Sequence, residues 1–187
     1  MGSTLEIQAA QEEAKVVGHD ETGWRQGNKK AWLWATVSDQ HATYKVDLRR
    51  SGEVARSLVG GEEFGGHVQS DRYKAYTCYP MERRAICHAH LKRDYKKIED
   101  RTGPGQEIGK KLCEREAAVF TEWHAFKSNL IDRPTLRERM QPISEAIKAL
   151  LESAARCGDS TVEGMCKDIL KHWPAMWTFT VAGVNYF

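Results

Sequence analysis

GHDETGWRQGNKKAWLWATVSDQ, residues 18–40, decides how this chain folds. The apolar pair Val16-Val17 runs into it, and Asp20 and Glu21 follow at once. This pattern predicts a strand over residues 15–20 that ends on His19-Asp20. Gly27-Asn28 is a turn signal. Residues 30–38 (KAWLWATVS) and 42–48 (ATYKVDL) read as two antiparallel strands joined through Asp39-Gln40-His41. A carboxylate at the tip of a buried strand is costly unless something there needs it.

Outward from that stretch, residues 4–14 are polar and helix-prone, the tail of a preceding helix. Downstream, Val54, Leu58 and Val59 give a short helix over 52–59, ended by Gly60-Gly61. A fourth strand is expected at 67–70, followed by Asp71, and a fifth at 84–87 after a short segment around 73–79. Three strands, a crossover helix and two further strands imply an α/β fold with a mixed sheet flanked by helices. The remainder reads as helix. Leu91, Tyr95 and Ile98 mark one over 88–100, broken by Gly103-Pro104-Gly105. Ile108, Leu112, Val119, Trp123 and Phe126 stripe a second, and Leu136, Met140, Ile143, Ile147, Leu150 and Ala154 a third, with Pro142 as a kink. These two suggest a helical hairpin. Ser160-Thr161-Val162-Glu163 is a capping-box pattern opening a further helix that Pro174 limits.

The 187 residues are 41% hydrophobic and 29% charged, which fits a soluble globular chain. A formal net charge of +2 does not by itself argue for nucleic acid, so any basic surface must be local. No apolar run approaches the roughly 20 residues of a membrane helix. MGSTLEIQAAQEEAKVV shows no secretory pattern, and five irregularly spaced cysteines point to reduced thiols in a cytoplasm.

Asp20 ends the first expected strand and Asp71 follows the fourth, in the same sheet. Carboxylates at adjacent strand ends can share Mg²⁺, which takes oxygen ligands and keeps waters. Two ions about 3.5–4 Å apart would stabilise the attacking and leaving oxygens of a phosphoryl displacement. The alternative is that each aspartate caps a turn or helix.

Several ordered blocks favour the first reading. His19-Asp20-Glu21-Thr22-Gly23-Trp24-Arg25, with Ala31-Trp32-Leu33-Trp34, resembles the start of the catalytic domain of insertion-sequence 66 type transposases. Ser70-Asp71-Arg72-Tyr73-Lys74-Ala75-Tyr76 resembles that family's second-aspartate motif. Cys87-His88-Ala89-His90-Leu91-Lys92-Arg93-Asp94-Tyr95 is similar to its Cys-Trp-Ala-His-Leu-x-Arg-Asp-Phe block, with His88 where Trp is usual. Met140-Gln141-Pro142-Ile143 and the run from Leu170 to Phe179 are similar to its later helical segments. The resemblance spans about residues 15–184.

It implies a DDE-type enzyme with a ribonuclease-H-like fold. In that family two aspartates and a distant glutamate bind two metal ions for strand cleavage and strand transfer. Asp20 and Asp71 would be catalytic and metal-binding, with Mg²⁺ or Mn²⁺ as the two-metal cofactor. The partner would be transposon-end DNA, the active complex a homo-oligomer without membrane contact, and the location the bacterial cytoplasm, on the nucleoid when DNA-bound. Residues 1–102 would be a partial catalytic core. Residues 103–187 would be a helical insertion that stops before the glutamate-bearing helix.

The family's Gly-Val pair continues into that helix, whereas Gly183-Val184 is followed here by Asn185-Tyr186-Phe187. The expectation is therefore a fragment inactive alone, or a remnant binding DNA or an intact transposase. Another ribonuclease-H-like nuclease would equally need a third acid. Glu107, Glu114, Glu116, Glu122, Glu138, Glu145, Glu152 and Glu163 read as solvated charges on or beside the amphipathic helices. Trp24, Arg25, Arg72, Lys74, Lys92 and Arg93 are candidate DNA contacts, joined by Lys96 and Lys97 in a basic rim. Trp24 is also a sheet-packing candidate with Trp32 and Trp34, and Trp173 and Trp177 read as core. His19 and His90 are candidates for hydrogen-bonding behind the metal ligands. Zinc at Cys78, Cys87, His88 and His90 is disfavoured, since no second ligand pair is evident.

Overall fold

The computed structural model describes residues 9–61 and 63–181. They fall into two compact units, one running up to Ile86 and the other from Cys87 to Val181. The helix after Cys87, grouped with the sheet in the sequence reading, lies in the second unit.

The first unit holds β1 (Val16–Gln26), β2 (Lys29–Val37), β3 (Ala42–Asp47), α1 (Gly52–Ser57), β4 (His67–Ser70) and β5 (Arg84–Ile86). Two 3₁₀ turns, Lys74–Cys78 and Met81–Arg83, link β4 to β5. The five strands form one mixed sheet in the order β3-β2-β1-β4-β5. β1 pairs antiparallel with β2, and β2 with β3. β1 pairs parallel with β4, and β4 with β5.

β1 does not end at Asp20. It continues to Gln26, because Gly27 takes φ of 60° and closes a two-residue hairpin turn onto Lys29. What ends near Asp20 is its parallel neighbour: the β1–β4 ladder runs only from Val16↔His67 to Gly18↔Gln69. Beyond it β1 and β2 form an antiparallel ribbon whose residues past Glu21 are exposed on β1.

Alternation along β1 sends Val17, His19 and Glu21 to one face. There Val17, Trp34 and Val68 join Val54 and Ala55 of α1, Leu58 just after it, and Ala75, Tyr76 and Tyr79 in one apolar cluster. Gly52 makes the close approach possible: a Cβ there would lie 2.7 Å from the Ala75 carbonyl oxygen and 2.9 Å from Cys78 Cβ.

The second unit contains α2 (His88–Glu99), α3 (Gln106–Lys127), α4 (Arg133–Ala154), α5 (Ser160–Lys171) and short turns α6 (Trp173–Met176) and α7 (Thr178–Val181). Successive helices α2 to α5 pack pairwise, α3 and α4 as the expected hairpin. α4 runs on through Pro142. The cap of α5 is Asp159 rather than Ser160. Its Oδ1 accepts from the Thr161 and Val162 amides, and Glu163 reaches back to the Gly158 amide. Trp173 and Trp177 are half-buried. Glu116, expected on a solvated face, is fully buried on α3 because His88 of α2 meets it there.

The helical turn at 9–12 bears out part of the N-terminal helix expectation. The rest of it, and Gly183-Val184 with Asn185-Tyr186-Phe187, lie outside the described residues.

Candidate functional site

The parallel ladder sets the site. Gly18 is level with Gln69, and each strand carries an aspartate two residues on: Asp20 on β1 and Asp71 just past β4. Residues level with each other on parallel strands share a face, and neighbouring strands run about 4.8 Å apart. Asp20 is exposed, and one carboxylate oxygen accepts from the Glu21 amide at 3.0 Å. Asp71 is half-buried, and its Oδ1 accepts from the Tyr73 amide at 2.8 Å, a local turn that fixes the side chain. Among the described residues neither carboxylate takes part in an ion pair.

Glu21, which sequence reasoning did not single out, is buried beside them on the opposite face from Asp20. Its Oε2 accepts the Tyr76 hydroxyl proton, and its Oε1 accepts from Arg50 Nε at 2.7 Å. Burial raises the Glu21 pKa, the Tyr76 and Arg50 contacts oppose that, and Asp71 adds to it. Burial also drives the Tyr76 phenol far above its usual range, and Glu21, Asp71 and Asp20 push it the same way. The phenol thus senses all three carboxylates. The available signal was β1's own alternation, which puts residue 21 on the same face as Val17.

His19 does not meet Asp20. It sits on the buried face, with Nδ1 at 2.8 Å from Thr36 Oγ1 and Nε2 at 3.1 Å from the Tyr79 hydroxyl. Burial lowers its pKa to about 4, so the ring is neutral. Trp24 does not pack into the sheet; it is 48% exposed on the ribbon, whereas Trp34 is fully buried. Trp32 is half-buried under the Arg50 guanidinium, 4.5 Å from its ring centroid. Arg25 and Lys74 are exposed and Arg72 half-buried.

His90, Lys92 and Arg93 belong to α2 in the second unit. His90 is half-buried and hydrogen-bonds the Cys87 thiol. Burial would raise that thiol's pKa, but the His90 side chain and the amides of His90 and Ala89 bring it below the ordinary value. Lys92 and Arg93 are exposed, with the Lys92 ammonium 5.7 Å from the Phe120 ring. Lys96 and Lys97 do not form a free basic rim. Lys96 pairs with Glu99 and Asp100, and Lys97 with Asp94.

A family model described as the transposase IS66 family matches residues 4–184. The chain belongs to the IS66 transposase family. No curated protein and no solved structure matches it. In this IS66-family chain no three His, Cys, Asp or Glu side chains among the described residues group so as to hold a metal. Asp20 and Asp71 each supply one carboxylate. Neither is neutralised by a neighbouring cation, which is the donor chemistry a hard divalent ion takes. Among the described residues no helix is long and apolar enough to cross a membrane.

Proposed function

We propose that this chain is the ribonuclease-H-like core of a DDE-type transposase, with Asp20 and Asp71 as its cation-binding pair. One observation carries the reading: in an IS66-family chain, the parallel β1–β4 ladder sets Gly18 level with Gln69, and an aspartate follows two residues on along each chain, Asp20 on β1 and Asp71 just past β4. The order β3-β2-β1-β4-β5, antiparallel on one side of β1 and parallel on the other, supports the fold assignment.

Asp20 and Asp71 would hold Mg²⁺ or Mn²⁺, which when bound supplies charge stabilisation at the attacking and leaving oxygens of phosphoryl transfer. Arg25, Arg72 and Lys74, near the pair in sequence, would contact backbone phosphates of transposon-end DNA, and exposed Trp24 would stack on a base. Lys92 and Arg93 are proposed as further phosphate contacts on α2, in a homo-oligomer assembled on DNA in the cytoplasm.

Calorimetric titration with Mn²⁺ tests the pair. Uptake by the wild type and its loss in Asp20→Asn and Asp71→Asn are expected; no uptake, or uptake unchanged in Asp71→Asn, sinks the reading. No third acid groups with the pair among the described residues, and this favours a second reading: a chain that binds DNA or an intact transposase without cutting. Metal-dependent nicking of transposon-end DNA that Asp20→Ala abolishes selects the first reading; DNA binding with no nicking selects the second.

A further inference from the structure

We propose that Glu21, Arg50, Tyr73 and Tyr76 form a positioning clamp that sets the separation of Asp20 and Asp71. The inference rests on the reading of those aspartates as a cation-binding pair.

The contacts close a loop between the two acids. Glu21 follows Asp20 on β1 and carries the Asp20 carboxylate on its own amide. Its side chain, only 1% exposed, is held at both oxygens, by the Tyr76 hydroxyl and by Arg50. The Arg50 guanidinium lies 3.5 Å from the Tyr73 ring centroid with Trp32 also against it, and the Tyr73 hydroxyl donates to the Arg50 carbonyl at 3.4 Å. The Tyr73 amide then donates to the Asp71 carboxylate. Each aspartate is thus one hydrogen bond from a residue that the clamp immobilises.

β4 ends at Ser70, so the sheet ladder itself no longer fixes Asp71. Something else must hold the segment after it at the height of Asp20. Tyr73 and Tyr76 are on that segment, and Glu21 reaches them from β1 and Arg50 from the loop just before α1. An apolar side chain at position 21 would serve packing alone without the desolvation cost of a carboxylate in the core. The tight seat of α1 at Gly52 on the Lys74–Cys78 turn leaves that turn little room to shift.

Tyr76→Phe and Arg50→Lys leave the formal charge unchanged, so a change in cation affinity reports geometry. Mn²⁺ calorimetry and thermal melting are run on the full chain for the wild type, these two variants, Asp20→Asn and the core variant Val54→Ala. The clamp predicts Kd for Mn²⁺ weakened roughly tenfold or more in Tyr76→Phe and Arg50→Lys. Val54→Ala should melt lower with an unchanged Kd. Binding lost in Asp20→Asn but unchanged in both clamp variants overturns the clamp and leaves the metal reading standing. Equal weakening in Val54→Ala also overturns it, by showing general softening. No uptake by the wild type removes the metal reading and the clamp with it.

Discussion

His88 and Glu116 form a buried ion pair between α2 and α3, with Nδ1 2.8 Å from Oε1. His88 Nε2 faces the Met176 carbonyl at 2.9 Å. A carboxylate and a carbonyl only accept, so both ring nitrogens donate and the imidazole is charged. Burial opposes that charge, Glu116 and Met176 outweigh it, and the His88 pKa is raised. A folded-state pKa above the unfolded value of about 6.5 contributes stability that is complete below pH 6.5 and is lost as pH rises through the folded value. Wild-type melting temperature should therefore fall above pH 6.5 by more than that of a His88→Phe, Glu116→Leu double variant. His88→Phe alone strands a buried carboxylate and should cost about 3–5 kcal/mol, most of it recovered in the double variant. Urea titration of the three proteins checks this.

His19 should behave in the opposite sense. Burial holds its pKa near 4, so its contribution is complete above pH 6.5 and declines as pH falls toward 4. The loss at pH 4 should be about 3 kcal/mol, set by the shift from the unfolded value. Proton NMR titration of the imidazole resonances checks both residues: His19 should titrate near pH 4, and His88 above 6.5.

Gly52→Ala should destabilise the first unit. The added Cβ meets a backbone oxygen at 2.7 Å, which cannot rotate away as a flexible side chain would. Overpacking of this kind costs about 1–3 kcal/mol. Denaturant unfolding followed by tryptophan fluorescence should show the midpoint lowered, with the far-ultraviolet spectrum retained.

On DNA, Trp24→Ala should weaken single-strand binding by about 1–3 kcal/mol, the worth of one stacked base. Lys74→Ala should weaken binding to all sequences alike and reduce the salt slope by about 1. Fluorescence anisotropy across a salt series separates the two, since loss of stacking leaves the slope unchanged.

Much of the fold was legible because the strands are short, aromatic or β-branched, and bounded by strong turn signals. β2, β4 and the start of α2 fall within a residue or so of their expected places. The strand order let the sequence place Asp20 and Asp71 near the ends of two strands of one sheet, and β1 and β4 are indeed parallel neighbours. The full length of β1 was not, since Thr22, Arg25 and Gln26 are polar and carry no burial signal; a hairpin ladder holds them in strand. Glu21 and Glu116 were hidden for a common reason. A glutamate goes into a core only with partners in hand, and those partners, Arg50 and Tyr76 for one and His88 for the other, lie 28 to 55 residues away. Alternation along β1 can point Glu21 inward, but local periodicity carries no trace of the distant partners that make its burial possible.

β1's regular two-residue rhythm, unbroken from Gly18 to Gln26, makes the placement of its acids all-or-nothing. The hairpin with β2 holds Asp20 and Glu21 in register, so deleting a single residue between Lys15 and His19 would turn over the stretch before it, where β1 pairs with β4, and break the match between that ladder and the acids. The exposed tip of the ribbon can change at little structural cost, whereas the short span before Asp20 is bound to one length.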